Sequence, residues 1–306
     1  MSQPREIVPR ATYLFTRRVL RRHFLLRPEA AITDLIIYAL AVTSGMCGIE
    51  VHAICVMSSH FHLVITDTRG ELPRFLHQFD RLVALGTKVL RAWEGAVWEP
   101  GGVSVVRLLT PAAVVEKIAY VLANPVAAGL VGHAHEWPGL KVRVGDIGRG
   151  VLHAGRPAVY FDPANPNWPE HAAFPITLPP GIEKDGADGF RSAVAAELAR
   201  LEAQAHEDMR QRGLRFLGAE QARAISPYDR ATSFEALRAR NPTFAVGHEQ
   251  EDAGPAAADA VRVFRASYRA ALKSWCGGTR DALFPVGTWW MRVFHCAGVI
   301  SAALPT

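Results

Sequence analysis

The chain is poor in cysteine, and what it has is not spaced for ligation. Cys47, Cys55, Cys276 and Cys296 form no CxxC pair, which argues against a zinc ribbon or a disulfide framework and for a reduced, cytoplasmic setting. The opening residues MSQPREIVPR lack the apolar core of a signal peptide. The longest apolar stretches, around 35–42 and 293–304, are too short or too interrupted to predict a bilayer span, so no membrane partner is expected. No internal repeat is visible. These absences leave a folded chain of 306 residues, 49% hydrophobic and 21% charged, long enough for one large domain or two.

Acid is scarce at one end. Residues 1–27 carry seven arginines against the single acid Glu6, although the whole chain has a net charge of only +5. An all-arginine cluster suits phosphate, because the guanidinium fork meets phosphate oxygens two at a time. A solvated terminus gives the same composition, and charge alone does not choose between them.

Periodicity predicts a strand over 11–16, a helix over 29–45 ended by Gly45, strands over 49–57 and 60–67 joined by Ser58–Ser59, a helix over 71–92 and a strand over 103–109. Thr110–Pro111 reads as N-cap and first turn of a further helix that ends near Asn124 and Pro125. This order predicts an α+β fold of the split βαβ kind, an antiparallel sheet with helices on one face. Residues 141–190 read as a loop-rich connector, and 191–306 as a mainly helical C-terminal extension with helices over 191–213 and 258–275. The polar stretch 226–258 reads as mobile.

Two stretches carry chemistry. In VMSSHFHLVITD (56–67), His60 and His62 are two apart on a strand, so both imidazoles project from one face while Phe61 and Leu63 face the other. Two neutral imidazoles at that spacing can share a divalent metal; two satisfied sheet histidines are the plain alternative. His52 lies close in sequence, but its facing is not fixed by pattern. In KIAYVLANPVAAGLV (117–131), Tyr120 and Asn124 are four apart and share a helix face. Taken singly, Tyr120 reads as a packing aromatic and Asn124 as a helix-terminal residue. Taken with the histidine pair, Asn124 could complete a ligand set, and Tyr120 could attack an electrophile that the metal polarises.

His60-Phe61-His62, preceded by Met57-Ser58-Ser59 and followed about sixty residues later by the Tyr120–Val131 segment, resembles the single-tyrosine HUH transposases, in particular the branch of REP-associated tyrosine transposases. ATYLFTRR, GELPRFLHQF, AVWEP and EWPG agree more weakly, and the likeness covers roughly residues 8–140. It implies a ferredoxin-like catalytic domain over residues 1–140 that cuts and rejoins single-stranded DNA, with hairpin or palindromic ends as possible substrates. His60 and His62 would bind Mg²⁺ or Mn²⁺, with Asn124 standing where the family has a polar third ligand. Tyr120 would form a 5′-phosphotyrosine link, and a second 3′-hydroxyl would resolve it.

A phenol is a weak acid, so Tyr120 would have to lose its proton to the metal or to a base that the sequence does not identify. Arg17, Arg18, Arg21 and Arg22 would grip phosphate, and Tyr13, Phe15, His23 and Phe24 interleave with them as candidate base-stacking rings, with core packing the alternative for Phe15. Two departures stand out. AVWEPGGVSVV lacks a basic residue after its tryptophan, and Ser58–Ser59 replaces the commoner proline–asparagine, a change expected to be harmless.

In the extension, Arg262, Arg265, Arg269 and Lys273 form a basic stripe opposite Val261, Phe264, Tyr268, Ala271 and Trp275, either a solvated face or a further DNA contact. Two other functions stay open: a DNA-binding protein or repressor without cleavage activity, and a zinc hydrolase, for which a further ligand at a recognisable spacing is lacking. Oligomeric state, monomer or homodimer, is not legible.

Overall fold

A computed structural model of the chain describes residues 3–233, 242–248 and 252–301. Four antiparallel strands, β1 (Ala11–Val19), β2 (Ile49–Met57), β3 (His60–Asp67) and β4 (Trp98–Leu108), lie in the order β2-β3-β1-β4. Helix α1 (Ala30–Cys47) connects β1 to β2, and α2 (Leu72–Arg91) connects β3 to β4. The fold is α+β, and its strand order is that of a split βαβ unit. Two further strands, β5 (Val151–Gly155) and β6 (His171–Pro175), form a separate hairpin. Beyond β4 the two-residue strand β7 (Phe244–Ala245) adds in parallel. It lies in the polar stretch 226–258, of which 234–241 and 249–251 fall outside the described residues.

The two helices of the unit cover one face, as expected. Phe61 on β3 meets Phe15 at 5.3 Å, Phe79 of α2 at 5.4 Å and Trp98 at 5.7 Å between ring centroids. The two helices cross closely, since any side chain at Gly86 would collide with Leu35. Asp67, fully buried at the end of β3, accepts the backbone N–H groups of Arg69, Gly70, Glu71 and Leu72. That anion satisfies the orphan donors at the start of α2.

Helix α1 runs past Gly45 and ends at Gly48, whose φ of 68° places it in the left-handed region. Its 18 residues are apolar enough by length and composition to cross a bilayer. Most of them are buried against protein instead. The sheet and α2 cover one side; near the other, Tyr38 packs on Phe161 and donates to the Pro169 carbonyl at 2.6 Å.

The third helix, α3 (Pro111–Ala127), lies on the opposite face of the sheet, where it meets His60 and His62. It starts as expected, with the Thr110 hydroxyl accepting the Ala113 N–H at 3.1 Å. It does not stop at Pro125. Leu130 N–H reaches the Pro125 carbonyl and Gly129 N–H the Val126 carbonyl, with Gly129 at φ 70°, so the NPVAAGL run builds a Schellman ending two residues later. Helix α4 (Ala187–Gln211) packs along α3, and a side chain at Gly129 would press on Met209.

The connector covers the free edge of β2. Val56 N–H donates to Leu140, Val142 N–H to Ile54 and Thr177 N–H to Val51, which shields an edge that would otherwise template pairing. One core is continuous from Ile7 to Ala222 and takes in Trp289. A second, smaller one gathers Ala271, Phe284, Met291 and Ala297 around α6 (Ala253–Cys276) and α7 (Trp290–His295). A short helix, α5 (Ala219–Ala224), follows α4.

Candidate active site between strand β3 and helix α3

Register decides what faces α3. Cross-strand partners share a face, and β1 pairs with β3 so that Thr16 sits opposite His62 and Arg18 opposite His60. On β3 the alternation puts both imidazoles on this face and Phe61 on the other.

The two rings stand 4.9 Å apart, nearly perpendicular at 86°. Asn124 lies between them. Its Oδ1 is 3.2 Å from His60 Nε2, and its Nδ2 is 3.1 Å from His62 Nε2. The far nitrogens are anchored as well: Thr16 Oγ1 is 2.7 Å from His62 Nδ1, and Ser59 Oγ is 3.2 Å from His60 Nδ1. One tautomer assignment satisfies the set. His62 donates from Nδ1 to Thr16 and accepts from the amide; His60 donates from Nε2 to the amide and accepts the Ser59 hydroxyl. Burial first, then the neighbouring His60 and Arg18 charges, pull His62 well below its ordinary pKa, so its ring is neutral at physiological pH.

Tyr120, one turn before Asn124, sits at the rim. Its ring centroid is 5.4 Å from that of His62, edge to face, while the residue is 41% exposed. The three buried or half-buried polar groups thus form a floor, and the phenol borders it from the solvent side.

The arginine cluster divides. Arg17 points to the α2 face, where its Nε pairs with Asp80 at 2.9 Å and its guanidinium lies 5.4 Å from the Trp98 ring. Burial pushes the Asp80 carboxyl up to about 7 against the opposing pull of Arg17. Arg18 and Arg21 are exposed, Arg18 on the histidine face, and the Arg21 backbone N–H is held by Glu99 at 2.6 Å. Arg22 donates to the Ser233 carbonyl at 2.6 Å. The structure therefore brings Arg18 to the histidines and takes Arg17 away. Nor are all the interleaved rings presented to solvent: Tyr13 and Phe15 are core residues, and His23 is held by the Tyr228 carbonyl and packs on Trp93.

Pattern reading missed Thr16 and Ser59. Thr16 could have been found by pairing 11–16 against 60–67 in antiparallel register; Ser59 had been passed over as a neutral replacement in a turn. His52 belongs elsewhere: it is fully buried, with Nε2 2.8 Å from Thr66 Oγ1 and Nδ1 3.1 Å from the Thr177 carbonyl oxygen.

Among the described residues, no group of three or more His, Cys, Asp or Glu side chains gathers as a metal site. The donor set here is two imidazoles and an amide, and its chemistry suits a divalent cation. Both Nε2 atoms already converge on a single polar group, His62 is neutral, and each Nδ1 has a hydroxyl partner of the kind that orients ligating histidines. With the Ser59 hydroxyl accepting instead of donating, His60 presents an unprotonated Nε2 as well.

No family model and no curated protein matches this chain. Among solved structures, it is similar to a REP-associated tyrosine transposase bound to a REP hairpin, at 18% identity over 49% of this chain and 87% of that one, with a TM-score of 0.41. It is also similar to a protein described as a transposase from Deinococcus radiodurans R1, at 21% identity over 40% of this chain and 97% of that one, with a TM-score of 0.29. Likeness at these levels does not argue function. The residues have to carry it.

Proposed function

We propose that the chain is a metal-dependent transposase that cuts and rejoins single-stranded DNA through Tyr120. The observation that supports this reading most is the approach of both His Nε2 atoms to the one Asn124 amide, with the Tyr120 ring 5.4 Å from His62. The hydroxyl partners on both outer nitrogens fix the ring orientations, as a shared ligand set requires.

His60, His62 and the Asn124 oxygen would hold Mg²⁺ or Mn²⁺. When bound, such an ion neutralises charge on non-bridging phosphate oxygens, the main obstacle to attack on a phosphodiester. The protein's own part is positioning. The His62 ring fixes the Tyr120 ring from below, while exposure of the phenol lets a strand approach from solvent. Arg18, with Arg21 at the strand end, holds the flanking phosphates. Tyr120 oxygen then bonds to phosphorus as the P–O3′ bond breaks, and the departing 3′-oxygen takes a proton. The phosphotyrosine ester conserves the bond for attack by a second 3′-hydroxyl, so no nucleotide triphosphate is consumed. Hairpin or palindromic ends are the substrates suggested by the sequence resemblance, and the free state of all four cysteines suits a cytoplasmic setting.

The test is incubation with Mn²⁺ and end-labelled single-stranded DNA carrying palindromic ends. The expected product is a denaturation-resistant protein–DNA adduct mapping to Tyr120, absent from Tyr120→Phe and in the presence of a chelator. Tight binding with no adduct on any oligonucleotide overturns the catalytic reading and leaves a DNA-binding protein. Metal-dependent hydrolysis that survives Tyr120→Phe would instead favour a hydrolase.

A further inference from the structure

Away from the histidines, the N-terminal segment, β4 and α6 enclose a cleft of about 240 Å³. Arg5, Arg107 and Arg265 line it, with Glu6 the sole acid of the lining among the described residues. Its remaining walls are largely apolar and include Phe244, Val261 and Phe264.

Among the described residues the charges of the lining do not balance. Glu6 accepts from Arg107 Nη1 at 3.3 Å, and among the described residues no carboxylate pairs with Arg5 or Arg265. Arg265 Nε is buried with no hydrogen-bond partner among those residues. Burial lowers the pKa of Arg5, and the nearby Arg265 charge adds to that against the opposing pull of Tyr13, as expected of guanidinium groups gathered together. Helix α6 carries further cations on the side away from the cleft, where Arg262 pairs with Asp259 and Arg269 is exposed. Arg265 is the member of that stripe turned inward.

We propose that this cleft binds a phosphate group carried on a planar apolar body, that is, a nucleotide. Guanidinium forks from three separate chain segments suit the oxygens of one phosphate, and the apolar walls suit a base face. A simple inorganic anion leaves those walls unused, and a neutral apolar ligand leaves the cations unpaired. The nucleotide can be free or the phosphorylated end of a DNA strand. The inference stands on the cleft alone and does not depend on the role given to Tyr120.

The test uses the full chain carrying Tyr120→Phe, so that no covalent adduct contributes. Fluorescence anisotropy compares a short 3′-labelled deoxyoligonucleotide with a 5′-phosphate against the same strand with a 5′-hydroxyl. The phosphorylated strand is expected to bind about tenfold tighter. Arg5→Gln and Arg265→Gln should each remove most of that preference, whereas Arg269→Gln, one turn along the same helix, should weaken both strands equally and by no more than about twofold. Competition by dAMP at concentrations where inorganic phosphate and benzoate do not compete assigns the cleft to free nucleotides as well. Competition by the phosphorylated strand alone assigns it to DNA ends. No preference for the 5′-phosphate together with no dAMP binding by calorimetry overturns the proposal, as does a preference that survives in the Arg5→Gln/Arg265→Gln double variant.

Discussion

The two faces of the same sheet are built on opposite terms. On β1, Phe15 and Arg17 turn toward α2, and Thr12, Thr16 and Arg18 turn toward the side that α3 covers. The first face is aromatic and aliphatic, with Arg17–Asp80 its conspicuous polar feature. The second is threaded by polar chains that run Thr12–Thr66–His52–Thr177 and Thr16–His62–Asn124–His60–Ser59. Buried polar groups are tolerated when every member has a partner. The second face meets that condition almost throughout, and the half-exposed Tyr120 packs against its middle member, His62. One face holds the fold together; the other carries the candidate site.

Acid should strain the polar face most. Burial pulls His52 down from 6.5 to about 4. Its contribution to stability is therefore complete above about pH 6.5 and lost as pH falls toward 4, roughly 3 kcal/mol in all. Denaturant midpoints measured from pH 7 to pH 4 should show this loss, and His52→Gln should flatten the profile. An unchanged profile in that variant would mean the acid sensitivity belongs to other groups.

Neighbouring arginines offer a sharper contrast. Arg17→Gln removes the charge that opposes protonation of the buried Asp80, so the carboxyl takes up a proton, and the lost pair should cost roughly 2 kcal/mol, between the values for exposed and buried pairs. Arg18→Gln should change stability by less than about 0.5 kcal/mol and instead weaken binding of single-stranded DNA, reducing the salt dependence by about one counter-ion. Equal effects of the two substitutions on either property would erase the distinction between the faces.

The smallest effect tests the outer partners of the histidines. Thr16→Val keeps the shape but removes the oxygen at His62 Nδ1, so Mn²⁺ affinity should fall about tenfold, and the buried nitrogen left without a partner should cost about 1 kcal/mol of stability. Calorimetric titration measures the first and a melting curve the second.

Much of this was legible in the sequence. Period-two alternation placed His60 and His62 on one face and Phe61 on the other, and the strands 49–57 and 60–67 were found at their observed ends. The start of α3 followed from Thr110 and Pro111. What failed depended on partners distant in the chain. Gly45 did not end α1, because packing from two sides carries the helix on to Gly48, where the left-handed turn forms. Strand β4 starts at Trp98, ahead of Pro100 and the glycines, because Val19 pairs there across a register shift. Composition grouped Arg17 with Arg18, and only strand parity and the distant Asp80 separate them. Ser59 acquires its role once His60 is oriented, and no local pattern announces that.

His60, His62 and Asn124 are proposed to form one divalent-cation site beside Tyr120. Pulsed electron paramagnetic resonance of the Mn²⁺-loaded protein tests it directly, because nitrogen ligands couple to the electron spin. Two histidine nitrogen couplings are predicted in the unmodified chain and one in His62→Ala. A Mn²⁺ signal with no nitrogen coupling, or one unchanged when both histidines are removed, would contradict the account.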